Sequence, residues 1–203
     1  DKEFKFNSHL HGVKTKVNQA IGVVAVMRKK LMLNPLLNFY YSNFQSHLMY
    51  STFLLIRLLT KDLKQLQISQ NRVIKMIFKL PLLTRTADLY TKIAPKILPI
   101  MGIIFYVICM MIHKSLQITD ESLIRVEKLR SERTNMLKIQ TSSLTIRSND
   151  IECIGPSIYN CLPSELRSIN SIPLFKRRLK QFLLSKNSFL VSDAQISTKN
   201  KIL

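Results

Sequence analysis

Apolar residues recur every three or four positions along several stretches of this chain, which is the spacing of one face of an α-helix. Between residues 10 and 30 the repeat consists of Val13, Val17, Ile21, Val24 and Met27, and Arg28, Lys29 and Lys30 follow it. Asn34-Pro35 is predicted as the cap and first turn of a second helix, which carries Leu36, Leu37, Tyr40, Tyr41, Phe44 and Leu48. We expect this aromatic stripe to pack inside the protein rather than to stack on bases.

The stretch from Thr60 to Lys79 has the clearest two-sided pattern. At about 100° per residue, one side of the predicted helix collects Leu63, Leu66, Val73, Ile74 and Ile77. The opposite side collects Lys61, Lys64, Arg72, Lys75 and Lys79, and Asp62 is the one acid in the stretch. Such a helix packs its apolar side on a core and presents its charge either to phosphates or to a membrane interface.

An uncharged run covers Ile97 to Ile112. A bilayer takes about 20 such residues, so the run is marginally short for a membrane span, and we expect a fully buried helix. Further on, the pattern predicts a helix over residues 120–133, a turn at Gly155-Pro156 and a short helix after Pro163. A last amphipathic helix over 172–184 sets Phe175, Leu179, Phe182 and Leu183 against Lys176, Arg177 and Lys180.

These patterns predict an all-α fold, an irregular bundle of amphipathic helices around one buried apolar helix, with a polar tail. We expect a helical domain over residues 1–116, a linker with one helix over 117–150, a C-terminal helical segment over 151–185 and a disordered tail over 186–203.

Charge narrows the choice of partner. The chain has 31 Lys and Arg against 12 Asp and Glu, a formal net charge of +19, and no acid lies between Glu3 and Asp62. Such a field favours polyanions, either a nucleic-acid backbone or an anionic membrane surface. The first residues lack the apolar run of a secretory signal, so we expect an intracellular, cytoplasmic or nuclear location.

The sequence lacks the usual signatures of catalysis. The four glycines are isolated and form no phosphate-binding loop, and the acids do not cluster as two-metal enzymes require. Cys109, Cys153 and Cys161 form no CxxC pair, and we expect them to be small buried apolar residues. His9 and His11 have no further ligand at metal-binding spacing. We therefore predict no catalytic site, no metal and no cofactor in this chain.

Five segments, in order, resemble the region that follows the polymerase palm in reverse transcriptases of non-LTR retrotransposons, the LINE-type elements of the jockey-like kind. Residues 9–24 are similar to the family's H-I-x-x-V-x-x-K-I-x-x-x-I-G-x-L, and residues 66–77 to L-Q-x-x-Q-N-R-x-I-R-x-I. Residues 97–100 resemble I-L-P-L, residues 155–163 resemble G-P-x-L-W-N-S-L-P, and residues 175–183 resemble F-K-x-x-L-K-x-x-L.

The resemblance implies a thumb over residues 1–116 and the helical segment after it, which hold template and nascent strand while the palm performs RNA-directed DNA synthesis. The palm would lie before Asp1. The implied partners are RNA, DNA or their hybrid, together with that upstream palm. The family usually carries tryptophans near residues 51–59 and at Tyr159, whereas this chain has none, which suggests a drifted or inactive copy.

The leading hypothesis is therefore a non-catalytic, nucleic-acid-binding fragment of such an RNA-directed DNA polymerase. The predicted contacts are Lys61, Lys64, Arg72, Lys75, Lys79, Arg28, Lys29, Lys30, Lys176, Arg177 and Lys180. One alternative is a peripheral or single-span membrane protein that uses the 97–112 run. Another is a helical interaction module with no nucleic-acid role.

Overall fold

The computed structural model describes residues 7–55, 60–117, 136–139 and 151–186. These residues are mainly helical and include no β-strand, which confirms the predicted all-α class. The α-helices are α1 (Asn7–Met27), α2 (Leu33–Phe39), α3 (Ser46–Tyr50), α4 (Thr52–Leu55), α5 (Thr60–Ile77), α6 (Thr86–Asp88), α7 (Ile100–Ser115), α8 (Ile151–Asn160), α9 (Ser164–Arg167) and α10 (Ile172–Ser185). π-Helical turns cover Tyr40–Gln45 and Leu89–Ile93.

Helix α7 lies at the centre of the bundle, and α3, α4, α5, α8 and α10 all pack against it. It contains most of the uncharged run, and Ile100, Ile108 and Ile112 are fully buried. The prediction of a buried apolar helix is therefore confirmed. Among the described residues, no helix combines the length and the apolar character that crossing a membrane requires.

The N-terminal helices pack as their periodicity predicts. Val17 and Val24 of α1 are buried, and α1 lies against α5 and the π-helical turns that follow α2. Tyr40 and Phe44 are fully buried, and their rings stack with centroids 5.3 Å apart. The aromatic stripe therefore packs inside the protein, as expected.

The predicted start of the second helix is wrong by two residues. Helix α2 begins at Leu33 after an extended Met32, so Asn34 lies within the first turn rather than at the cap. Pro35 fits there because the first backbone N–H groups of a helix have no intrahelical partner, and a proline in this turn loses no hydrogen bond.

The predicted turn at Gly155-Pro156 is also wrong, since both residues lie inside α8 and are buried. Helices α8 and α7 approach closely here. A Cβ on Gly155 would lie 2.7 Å from Ile112 Cδ1, so a larger residue there would require the end of the Ile112 side chain to shift. Tertiary packing therefore overrides the local turn preference. The short helix after Pro163 is confirmed as α9, and the last amphipathic helix as α10.

One apolar core joins the N-terminal and C-terminal helices, and it extends from Val13 to Leu183. Phe175 and Leu179 of α10 are fully buried in this core. The predicted helix over 120–133, nearly all of the predicted 117–150 linker and the predicted tail beyond Lys186 lie outside the described residues.

Candidate nucleic-acid interface

The basic residues of α5 lie along one side of the helix, opposite its apolar side. We call Lys61, Lys64, Arg72, Lys75 and Lys79 the α5 basic face. Lys61, Arg72 and Lys79 are exposed, while Lys64 and Lys75 are partly buried. At about 1.5 Å of rise per residue, Lys61 to Lys75 spans about 21 Å. The face is therefore a narrow line of charge about as long as six nucleotides of one strand at 3.4 Å each.

The acid of α5 does not offset this line of charge. Asp62 points toward α1, where its Oδ1 lies 2.8 Å from Lys14 Nζ. The same ammonium group donates to Gln65 Oε1 at 2.8 Å. Because Lys14 compensates the charge of Asp62 locally, this carboxylate offsets little of the positive charge on the other side of α5.

The apolar side of α5 holds the helix in place. Leu66, Val73, Ile74 and Ile77 are buried almost completely, as their spacing predicts. Ile68 is different, because it lies among the cations and is 66% exposed. The α5 basic face therefore contains one exposed apolar side chain near its middle.

The C-terminal end of α5 is a Schellman cap. The Lys79 N–H donates to the Met76 carbonyl, and the Leu80 N–H donates to the Lys75 carbonyl at 2.8 Å. Lys79 has a φ of 54°, the left-handed conformation that this cap requires and that glycine usually supplies. The helix therefore ends at Ile77, and the predicted contact residue Lys79 lies in its cap.

Lys79→Gly should raise the free energy of unfolding by up to about 1 kcal/mol, because glycine adopts a positive φ without a Cβ clash. Urea unfolding followed by circular dichroism measures the change. As a control, Arg72→Gly in the middle of α5 should lower the stability by about 1 kcal/mol, since there the helical conformation favours a side chain. Equal effects of the two variants would contradict the cap assignment.

Lys75 has a structural role that the sequence did not reveal. Its Nζ donates to the carbonyl of Leu82, beyond the end of the helix. The loop it holds is a tight turn, since the Thr84 N–H and hydroxyl both donate to the Pro81 carbonyl, at 3.1 and 2.7 Å. Lys75 therefore ties this turn to α5, in addition to contributing charge.

The remaining predicted contacts lie on two other elements. Arg28, Lys29 and Lys30 form the turn between α1 and α2. Lys176, Arg177 and Lys180 are exposed on α10, and Lys180 Nζ lies 5.7 Å from the ring centroid of Tyr41. The structure thus places Lys61, Lys64, Arg72 and Lys75 on one side of α5 and Lys79 in its cap, and it distributes the other six predicted contacts over separate elements.

A buried network of side-chain amides on the apolar side of α5 holds this helix against the core. Gln70 is fully buried, and its Nε2 donates to the Tyr40 hydroxyl and to the Leu98 carbonyl, each at 2.8 Å. Its Oε1 accepts from the Tyr90 hydroxyl at 2.9 Å. Tyr40 and Tyr90 each come from one of the two π-helical turns. One side chain of α5 therefore joins both of these turns and the entry to α7.

Gln67 completes this network at the start of α7. The Ile100 N–H donates to Gln67 Oε1 at 3.0 Å, so a side chain of α5 caps α7 after Pro99, which has no capping group of its own. Gln67 Nε2 also donates to the Tyr90 hydroxyl at 2.8 Å. Burial raises the pKa of Tyr90 well above its ordinary value, so that its hydroxyl stays protonated and remains a donor.

A second buried polar cluster lies at the other end of α7, around His113. The His113 ring stacks on Phe175 with centroids 3.7 Å apart, and its Nδ1 lies 2.9 Å from the Tyr159 hydroxyl. Gln117 Nε2 lies 3.1 Å from His113 Nε2. Since an amide nitrogen is a donor, Nε2 accepts, and the neutral ring carries its proton on Nδ1.

The stability of the protein should fall as the pH is lowered below about 6.5, the ordinary pKa of histidine. Burial lowers the pKa of His113, so the unfolded chain binds a proton at a higher pH than the folded protein does. The free energy of unfolding, measured in urea between about pH 7.5 and 5.5, should therefore decrease, and His113→Gln should flatten the decrease. An identical pH dependence in both proteins would contradict this assignment.

The buried thiol and phenols serve packing and hydrogen bonding. Burial raises the pKa of the Cys109 thiol far above its ordinary value and that of Tyr159 to about 12, so both stay protonated. Cys109 is buried as expected, but Cys153 is only partly buried and Cys161 is exposed in the turn after α8, so the expectation is wrong for these two. Within the described ranges no group of three His, Cys, Asp or Glu side chains is placed to hold a metal ion.

Comparisons with known proteins found no relative of this chain. No model of a protein family matches the chain, and neither the curated proteins nor the solved structures include a similar one at a significant level.

Four of the segments that carry the resemblance to reverse transcriptases meet in pairs in the fold. Gln70 of the second segment donates to the Leu98 carbonyl, and Gln67 accepts from the Ile100 N–H, both in the third segment. Tyr159 of the fourth segment and Phe175 of the fifth both lie against His113. These residues therefore stabilise the fold. Their role in packing and hydrogen bonding explains why they occur in the sequence, whether or not they contact a ligand.

Proposed function

We propose that this chain binds nucleic acid and has no catalytic site of its own. The observation that supports this most is the α5 basic face, in which four cations lie on one side of the helix and Lys79 follows in the cap, while Asp62 is paired with Lys14. A narrow line of positive charge matches a linear polyanion, whose phosphates it neutralises with release of counterions. The hydrogen bonds of Gln67 and Gln70 hold α5 against the core, so its cations have a fixed position on the surface.

We further propose that the chain is the thumb and post-thumb region of a non-LTR retrotransposon reverse transcriptase. In that role the α5 basic face holds RNA, DNA or their hybrid for a palm that this chain does not contain. The support is the order of the five resembling segments along the chain. Phosphate contacts position a strand without reading its bases, so the sequence preference should be weak.

Binding to labelled single-stranded RNA, single-stranded DNA and an RNA-DNA hybrid, measured by fluorescence anisotropy over a salt series, tests this function. We expect binding to all three, with log affinity falling linearly against log salt concentration. A salt-insensitive affinity, or the absence of binding at about 50 mM salt, would contradict the proposal. Flotation with anionic vesicles, in the absence of any affinity for polynucleotides, would favour a membrane surface instead.

A further inference from the structure

Two leucines project into solvent at the end of the α5 basic face. Leu82 is 76% exposed and Leu83 is 95% exposed, although both are large apolar side chains. They occupy the two central positions of the turn from Pro81 to Thr84. Single exposed apolar residues are common on protein surfaces, but two adjacent ones at the tip of a turn form a small apolar projection.

Three hydrogen bonds hold this turn in place. Its Pro81 carbonyl accepts from Thr84, and its Leu82 carbonyl accepts from Lys75 on α5. Pro81 also has a fixed φ. Because the turn is ordered in advance, binding a ligand with its tip costs little conformational entropy.

Cations border this projection on both sides. Lys79 precedes the turn and Arg85 follows it, and both are exposed. The line of positive charge on α5 therefore leads directly to the two leucines. A polyanion that lies along α5 and carries apolar groups of its own would meet both features.

We propose that the Leu82–Leu83 tip packs against unpaired bases of the nucleic acid whose phosphates lie along the α5 basic face. This inference rests on the proposed function. Apolar side chains, leucine among them, pack against base faces where stacking is interrupted, and unpaired bases offer such faces without the cost of opening a duplex. The tip thus selects single strands or junctions over a continuous duplex.

A bilayer fits the same features less well. The apolar side of α5 is occupied by the core, so this helix cannot insert into a membrane interface as amphipathic helices do. Among the described residues from Lys61 to Arg85, the exposed large apolar side chains are Ile68, Leu82 and Leu83, which is little apolar surface for insertion between acyl chains. The cations also form a line rather than a broad patch, which matches a strand better than a plane.

The test replaces both leucines with serine in the full chain and measures binding to single-stranded oligo(U) and to a blunt duplex with the same number of phosphates. The affinity for oligo(U) should fall about fivefold, which is the lower limit of the loss for one base stacked on an aromatic ring. The affinity for the duplex should change by less than about twofold, and the salt slope should stay the same, because the slope counts phosphate contacts. Ile139→Ser, at another exposed apolar residue, serves as the control and should leave both affinities unchanged.

Several results would overturn the inference. One such result is a change in the affinity for oligo(U) of less than about twofold. Another is an equal loss of affinity for the duplex, which would show no preference for unpaired bases. Loss of vesicle flotation or of self-association in the leucine variant, with oligo(U) binding intact, would assign the tip to a membrane or to a second copy. Circular dichroism and the urea midpoint, both expected unchanged for exposed residues, verify folding.

Failure of this inference is distinguishable from failure of the proposed function. If the wild-type protein shows no salt-dependent affinity for polynucleotides, the proposed function itself fails. If binding depends on salt and on the cations of α5 but not on Leu82 and Leu83, only the role of the tip is wrong.

Discussion

Gln70→Leu should lower the free energy of unfolding by about 2 to 4 kcal/mol. The glutamine amide makes hydrogen bonds to Tyr40, Tyr90 and the Leu98 carbonyl, and all of these groups are buried. Leucine has a similar volume but leaves at least the Leu98 carbonyl without its donor. A buried polar group without a partner costs about 1 to 3 kcal/mol, and two or more are affected here.

Urea unfolding measures this loss, and a constant m value would show that the unfolding transition keeps its character. Gln181→Leu is the matched control, because Gln181 is an exposed glutamine on α10 and its replacement should change stability by less than about 0.5 kcal/mol. If both variants were equally stable, the amide network would not hold α5 in place.

Phe175→Ala should lower the free energy of unfolding by about 3 to 5 kcal/mol. Phe175 is fully buried, and its ring stacks on His113 and lies 6.3 Å from the ring of Tyr159. Truncation removes an aromatic side chain from the centre of the packing and leaves a cavity beside α7. Because His113 belongs to α7, the loss should affect the whole bundle and not α10 alone.

Hydrogen exchange of the α5 amides tests whether the loss of stability extends beyond α10 to the whole bundle. In the Phe175→Ala variant these amides should lose protection together with those of α10, since both helices share the core around α7. Leu174→Ala, at a neighbouring residue that is 38% exposed, should have a much smaller effect. Full protection of α5 in the Phe175→Ala variant would instead indicate an independently folding C-terminal segment.

The alternation of apolar and basic residues was sufficient to predict α5 and its two sides. Leu66 and Ile74 are buried, and Lys61 and Arg72 are exposed, because the helical period places them on opposite sides whatever the remaining fold is. The buried α7 was predictable for a similar reason, since a run without charges has no side that prefers water. Long regular patterns of this kind depend little on tertiary context.

The sequence did not lead us to the amide network, although a signal was present. Gln67 and Gln70 fall on the apolar side of α5, and Gln70 lies near its centre. A polar residue in that position is either an error of the pattern or a buried hydrogen-bonding group. Its partners on the π-helical turns and at Leu98 come from distant parts of the chain, so the period of α5 alone could not name them.

Three other features of the structure were not predicted from the sequence, because each depends on tertiary contacts. Gly155 and Pro156 have the composition of a turn, but both are buried inside α8, where Gly155 lies close to Ile112 of α7. The hydrogen bond from Lys75 to the Leu82 carbonyl joins a helix to the turn after it. From the sequence, Lys75 was predicted only as a positive charge on α5. The projecting leucines were equally hidden, because the sequence does not distinguish an exposed turn from a buried one.

The salt dependence of RNA binding in two matched double variants tests the central claim most directly. Lys61→Gln with Arg72→Gln removes two exposed cations from α5, and Lys96→Gln with Lys114→Gln removes two exposed cations from outside it. These pairs leave the capping residue Lys79 and the turn-holding Lys75 intact. Both doubles lower the net charge equally, so a difference between them reports the position of the charges.

If nucleic acid lies along α5, the first double variant should flatten the plot of log affinity against log salt by about 1.4 to 1.8, and the second should leave the slope unchanged. Equal slopes in the two variants would show that binding follows net charge alone and would contradict the assignment of the α5 basic face as the contact surface.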